Sequence, residues 1–285
     1  MPRTTTSDRF ASGARIGDYE VEREVAYEEA AVIYLATHVV LPRKAYVKVT
    51  HPGSRSSAVH LLREACILEA LSHAGIPRVH ECGMLGDRRP WCAIEMMPGV
   101  RFSRVISDGP IPVSDLAIAL RDLADVIRHA HERGVVHGRL TAGAVVRTQR
   151  RRCGHAICDW GDSHTLDTEA DVVVDPRDDI RALGAIAFRA LTGTAPQPSV
   201  SAAVYSPAAP AELIALIDQM LAEPVARPSA NGVFERAVWL CNTLEIAPLI
   251  ERPRWTPPQG FVSEGVSGNP EEVGFAIRIS RPRSS

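Results

Sequence analysis

Val135-Val-His-Gly-Arg-Leu-Thr-Ala-Gly-Ala144 is the stretch on which the reading of this chain turns. Ahead of it, Leu116, Leu120, Leu123, Ala124, Ile127 and Ala130 recur at helical spacing, which predicts an amphipathic helix over Ser114 to Glu132 with Ser114 as its N-cap. Behind it, Val145-Val146 and Ala156-Ile157-Cys158 read as two short strands. The basic run Arg147-Thr-Gln-Arg-Arg-Arg between them reads as a solvated turn. Asp159-Trp-Gly follows directly, and Asp178-Asp-Ile-Arg-Ala-Leu-Gly opens a helix from Ile180 to Thr192 that Gly193 ends.

Upstream, alternation over Tyr19-Glu-Val-Glu-Arg-Glu-Val, then Ala31-Val-Ile-Tyr-Leu-Ala and Lys44-Ala-Tyr-Val-Lys-Val, predicts three strands. Val59, Leu62, Ala65, Cys66, Leu68 and Leu71 predict a helix over 58–71 with those residues on its apolar face. Cys82 to Met97 reads as two strands joined at Gly86-Asp87. Downstream, 194–210 is a Pro/Ala/Ser-rich loop, and helices are expected over 211–222 and 229–244. From Ala247 the chain is rich in Pro and Gly, and part of this tail, with Trp255 and Phe275, is expected to dock.

The bulk properties bound the function. A net charge of −2 gives no field that would favour nucleic acid or membrane. No apolar run approaches the ~20 residues that span a bilayer, and MPRTTTSDRF lacks the apolar core of a leader. The 6 cysteines show no zinc spacing and read as reduced, buried thiols of a cytoplasmic protein.

Taken together, these motifs resemble the bacterial Ser/Thr (Hanks-type) protein-kinase family. The opening stretch resembles the catalytic loop His-Arg-Asp-Leu-x-x-x-x-Asn. Val-Lys-Val at Lys48, Arg63-Glu64-Ala65, Asp159-Trp-Gly, the Asp179 helix and Arg227-Pro-Ser follow in family order. The resemblance implies an α+β, two-lobed kinase-like fold: a small antiparallel-sheet lobe with one helix, and a larger helical lobe. Its parts would be a disordered arm (1–16), a small lobe (17–97), a large lobe (98–244) and a tail (245–285). It further implies a Lys48–Glu64 pair, a structural spine of Leu68, Trp160 and His137 resting on Asp179, and a magnesium-binding role for Asp159.

The departures from the family pattern fall on the chemistry. Arg139 stands at the catalytic Asp, Thr141 at a Lys and Ala144 at the metal-binding Asn. The glycine positions of the phosphate loop are Ala26, Glu28 and Ala31. A carboxylate 4 Å from a phosphate costs about 1–4 kcal/mol in wet to surface-like surroundings. Tyr46 replaces the small residue that lies against adenine, and a phenol there is expected to fill that space. The interval from Asp159 to Asp179 is about half that of an active kinase, with no Ala-Pro-Glu, so the activation segment is shortened and Arg227 lacks its family partner.

The expectation is a catalytically dead kinase-like domain, a pseudokinase, that binds no cofactor and works through a protein partner such as an active kinase. Its retained charges would hold the lobes, with Asp159 paired to Lys48 or Arg139. The alternative is a divergent kinase or nucleotide-binding enzyme that still takes ATP and Mg weakly.

Overall fold

The structure, a computed structural model, describes residues 9–148, 153–166 and 174–246. Alternating apolar residues build the first sheet. Strands β1 (Arg15–Ile16), β2 (Tyr19–Tyr27), β3 (Ala31–His38), β4 (Lys44–Thr50), β5 (Val79–Met84) and β6 (Pro90–Glu95) pair antiparallel in the order β1-β2-β3-β4-β6-β5. Ile16, Tyr19, Val21, Val32, Tyr34, Val47, Val49 and Trp91 form its core. Phe10 packs against that core, stacks edge-on to Tyr34 and donates its amide to the Tyr34 hydroxyl (3.0 Å). Residues 9–16, expected to belong to a disordered arm, are therefore ordered, with the aromatic at position 10 burying area against the sheet.

Helix α1 (Arg55–Ala70) is the single helix of this lobe and starts at Ser54, whose hydroxyl accepts from the Ser57 amide. Its buried side is Ser57, Leu61, Glu64, Ala65, Ile67 and Leu68. Val59, Leu62 and Cys66, expected on the apolar face, lie exposed on the other side of the helix. The burial of Glu64 explains the error. A carboxylate paired beneath the helix turns the helix so that aliphatic residues face out, against the order that hydropathy alone suggests.

The large lobe is organised by α3 (Val113–His131), which follows the short β7 (Val100–Arg101) and α2 (Phe102–Val105). Helix α3 begins after Pro112 with no side-chain cap, so Ser114 sits within its first turn rather than capping it. Strand β8 (Val135–Val136) pairs with β11 (His164–Thr165), and β9 (Val145–Arg147) lies between β10 (His155–Ile157) and β7. Helices α4 (Pro176–Thr192), α5 (Ala211–Leu221) and α6 (Ala230–Thr243) complete the lobe. The Asp175 side chain caps α4 at one end, and Gly193, left-handed at φ 77°, ends it at the other. Leu61, Leu68 and Ile94 share a core with Phe102, Leu120, Ile127, Trp160, Leu183 and Phe188, so α1 ties the small lobe to the large one. Residues 1–8 and the whole tail from 247, including Trp255 and Phe275, lie outside the described residues.

One buried carboxylate anchors the loop that opens this account. Asp179, 1% exposed near the start of α4, accepts from the His137 amide (2.8 Å) and the Gly138 amide (2.9 Å), and pairs with His131 Nε2 (2.9 Å). His131 thus has a structural role at the end of α3. Asp179→Ala would strand these donors in a dry site. Unfolding free energy in urea should fall by about 3 kcal/mol; a loss below about 1 kcal/mol would show that the loop is held by something else.

Candidate functional site

The cleft between the lobes contains a cavity of about 270 Å³ walled by Val25, Ile33, Tyr46, Ile94, Met97 and Val146. That lies just under the ~300–1,000 Å³ usual for small-molecule pockets. Tyr46 forms part of the wall, and space stays open beside it. A second cavity of about 690 Å³, bordered by Glu29, Arg139, Thr141, Ala144 and Asp162, shares Glu28, Lys48, Glu64 and Asp159 with the first.

Lys48 projects from β4 and Glu64 from α1, and they meet as a bidentate pair at 2.6 and 2.8 Å. Both side chains are largely buried. Burial alone would push the Lys48 ammonium down. The charge and hydrogen bond of Glu64, reinforced by Glu28 and Asp159, more than reverse this and raise it, so Lys48 is charged at neutral pH. Leu68, one helical turn beyond Glu64, is buried in the same core as Trp160. The Trp160 ring lies 4.8 Å from that of His137, and His137 Nε2 is 3.0 Å from the Cys158 carbonyl. The three residues read as a spine are thus brought together over Asp179.

Asp159 takes a different partner from either expected one. Its backbone is left-handed (φ 61°) and its carboxylate receives Arg101 Nη1 at 3.1 Å. Arg101 also donates to the Gly143 carbonyl, which fixes its guanidinium across the loop. Arg139 turns away from Asp159 and pairs with Asp162 at 3.0 Å, with both side chains exposed. The reason is reach: Arg101 and Asp162 sit on the short β7 and on the turn after Trp160, next to their partners, and neither belongs to a motif that would have flagged it.

The remaining degenerate positions hold the loop together. The Ala144 amide donates to the Thr141 carbonyl (3.0 Å) and lies 3.3 Å from the Thr141 hydroxyl, and Ala144 is buried, offering no ligand atom from its side chain. Among the described residues, no group of three or more His, Cys, Asp or Glu side chains is placed to hold a metal ion. At the β2–β3 tip the Glu28 amide donates to the Ala31 carbonyl (2.9 Å), so it is engaged in the hairpin. Desolvation raises the Glu28 carboxyl; Lys48 opposes that, while Glu64, Asp159 and Asp162 add to it. Arg227 finds a new partner. It pairs with Asp178 (3.3 Å) and donates to the Ala222 carbonyl (2.8 Å).

Comparison with solved structures places this arrangement. The kinase domain of Mycobacterium tuberculosis PknI superposes with a TM-score of 0.62 at 23% identity, covering 81% of this chain and 99% of that one. The chain has a protein-kinase-like fold. Its sequence relatives include bacterial Ser/Thr protein kinases. Pkn2 of Myxococcus xanthus is 25% identical over 208 residues, which is 63% of this chain and 25% of that protein. Pkn1 of the same organism is 26% identical over 212 residues, 65% of this chain and 30% of its own length. The DNA damage-responsive kinase RqkA of Deinococcus radiodurans is 27% identical over 205 residues, 63% of this chain and 30% of RqkA. The domain therefore spans a quarter to a third of these relatives. No family model matches the chain. No helix among the described residues is long and apolar enough to cross a membrane.

Because Lys48 and Glu64 neutralise each other out of water, removing one leaves the other as an unpaired buried charge. Lys48→Met should lower stability by about 3 kcal/mol, seen as a lower Tm, and Lys48→Met with Glu64→Leu should recover much of that loss. A single variant that melts like the parent would contradict the pairing.

Proposed function

We propose that this domain is a pseudokinase: a kinase-like scaffold that has lost phosphoryl transfer and acts by binding another protein. One observation carries the reading. The position of the catalytic base holds Arg139, whose guanidinium donates to Asp162 and has no lone pair with which to take a proton. Losing a general base alone costs roughly 10²–10⁴ in rate.

The residues present do not fit Mg·ATP. Asp159, the one retained metal-ligand position, is engaged by Arg101. Ala144 contributes only a methyl group where a second ligand would be. The β2–β3 tip presents Glu28 where backbone amides would otherwise approach phosphate. The catalytic parts of a kinase act as a unit, so these losses need not multiply, but they act in the same direction.

A protein partner is favoured over other ligands. The net charge of −2 gives nothing for nucleic acid or an anionic membrane. Helix α1 meanwhile presents Val59 and Leu62 to solvent at 62% and 46% exposure. On this reading the domain works in the cytoplasm, as an interaction scaffold or allosteric regulator, with an active kinase as one class of partner. The open 270 Å³ cavity and the intact Lys48–Glu64 pair favour one second reading, residual nucleotide binding without transfer.

Thermal melting with and without millimolar Mg·ATP separates the two. The scaffold reading predicts no change in Tm; a clear rise supports the second. Making Arg139→Asp and Ala144→Asn together should still give no transfer, since the glycines at 26, 28 and 31 remain missing and the activation segment remains short. Recovery of activity by those two changes would mean that the loop alone was at fault.

A further inference from the structure

Strands β5 and β6 place Cys82 directly opposite Cys92, and the same register puts Cys92 opposite Lys48 on β4. Opposed residues of an antiparallel ladder point to one face, so Lys48, Cys92 and Cys82 form a row beneath α1. The two sulfurs are 3.2 Å apart and hydrogen-bonded. That is roughly 1.2 Å more than a disulfide bond of ~2.05 Å. Directly opposed residues have Cα atoms ~4.5 or ~5.5 Å apart, according to their hydrogen-bonding class. Both values fall inside the ~4.4–6.8 Å that a disulfide spans. A directly opposed pair of this kind therefore lies within disulfide reach.

The two thiols also differ as a reactive pair requires. Cys82 is exposed on the edge strand, whereas Cys92 is buried. The hydrogen bond it shares with Cys92 holds the Cys82 thiol below its ordinary range despite some burial and the nearby Glu69 and Glu81. Cys92 is pushed up by that same bond and by burial. Cys153 is buried and pushed up to about 12 by desolvation, with Asp122 adding to it, and burial also raises Cys241. Neither is a comparable nucleophile.

We infer that Cys82 and Cys92 form a peroxide-sensitive disulfide, a modification site on the small lobe, with Cys82 as the attacking thiol and Cys92 as the resolving one. In the first step the Cys82 thiolate attacks the O–O bond of a peroxide. An S–O bond forms, the sulfur is oxidised, and hydroxide leaves to become water. In the second step the Cys92 sulfur attacks the Cys82 sulfur. The S–S bond forms, the S–O bond breaks, and the departing hydroxide takes the Cys92 proton as water. The sum is two thiols and one peroxide giving one disulfide and two waters. A dithiol reverses it by exchange.

The test treats the purified chain with stoichiometric hydrogen peroxide, blocks remaining thiols by alkylation and maps the peptides without reduction. Cleavage after Arg88 places Cys82 and Cys92 on separate peptides, so a link between them is visible as a joined species. The expected result is a protein lighter by two hydrogen atoms, a Cys82–Cys92 peptide pair, Cys66 still alkylated, and full reversal by dithiothreitol. Cys82→Ser, an exposed and near-isosteric change, should abolish the link. Accumulation of Cys82 sulfinic acid without a link, a disulfide through Cys66, or both thiols remaining alkylatable would overturn the assignment.

Discussion

Each of three cations that converge on the interlobe cleft already faces a carboxylate of the same chain: Lys48 with Glu64, Arg101 with Asp159, and Arg139 with Asp162. Their weights differ. The first pair is desolvated, and breaking it is costly. The other two are exposed, and such pairs contribute about 0–1 kcal/mol. They do little for stability, and their consequence lies in what they occupy. Asp159 meets a guanidinium where a kinase would offer it a metal, and Arg139 donates where a base would accept. A divalent ion could compete with a pair that weak. On the proposed reading, loss of phosphoryl transfer would rest more on the groups that are missing, at 139, 144 and the β2–β3 tip, than on Arg101.

Retention of the scaffold follows from a separate set of contacts. Asp179 gathers two loop amides and His131, and these bonds depend only on backbone and on a residue outside the catalytic set. The loop can therefore keep its path after its functional side chains have changed. Arg227 shows the same economy of change. Its guanidinium is taken up by Asp178 and the Ala222 carbonyl rather than left bare. Helix α1 completes the frame, because Leu61 and Leu68 share the core with large-lobe residues and Glu64 pairs with Lys48 of the small-lobe sheet.

Much of the fold was legible because its signals are local or repeated in fixed order. Strand alternation around Lys48, the stripe of α3, Gly193 at the end of α4, and the order of Arg63-Glu64-Ala65 and Asp159-Trp160-Gly161 all lie where the structure has them. What failed to show depends on geometry between distant segments. Val59 and Leu62 look like core residues until the burial of Glu64 sets the rotation of α1. Phe10 looks like part of a polar arm until Tyr34 and the small-lobe core are built. Arg101 and Asp162 belong to no motif, and long side chains choose partners by reach, which a sequence does not display. The closeness of Cys82 and Cys92 needed the β5–β6 register, which a one-residue slip would have destroyed.

The central claim is that the cleft no longer moves phosphate. Incubating the purified domain with γ-labelled ATP and magnesium, alone and with a generic protein acceptor, tests it most directly. The account predicts no incorporation above the protein-free control. Labelling of the domain or the acceptor that disappears on Asp159→Asn would contradict it.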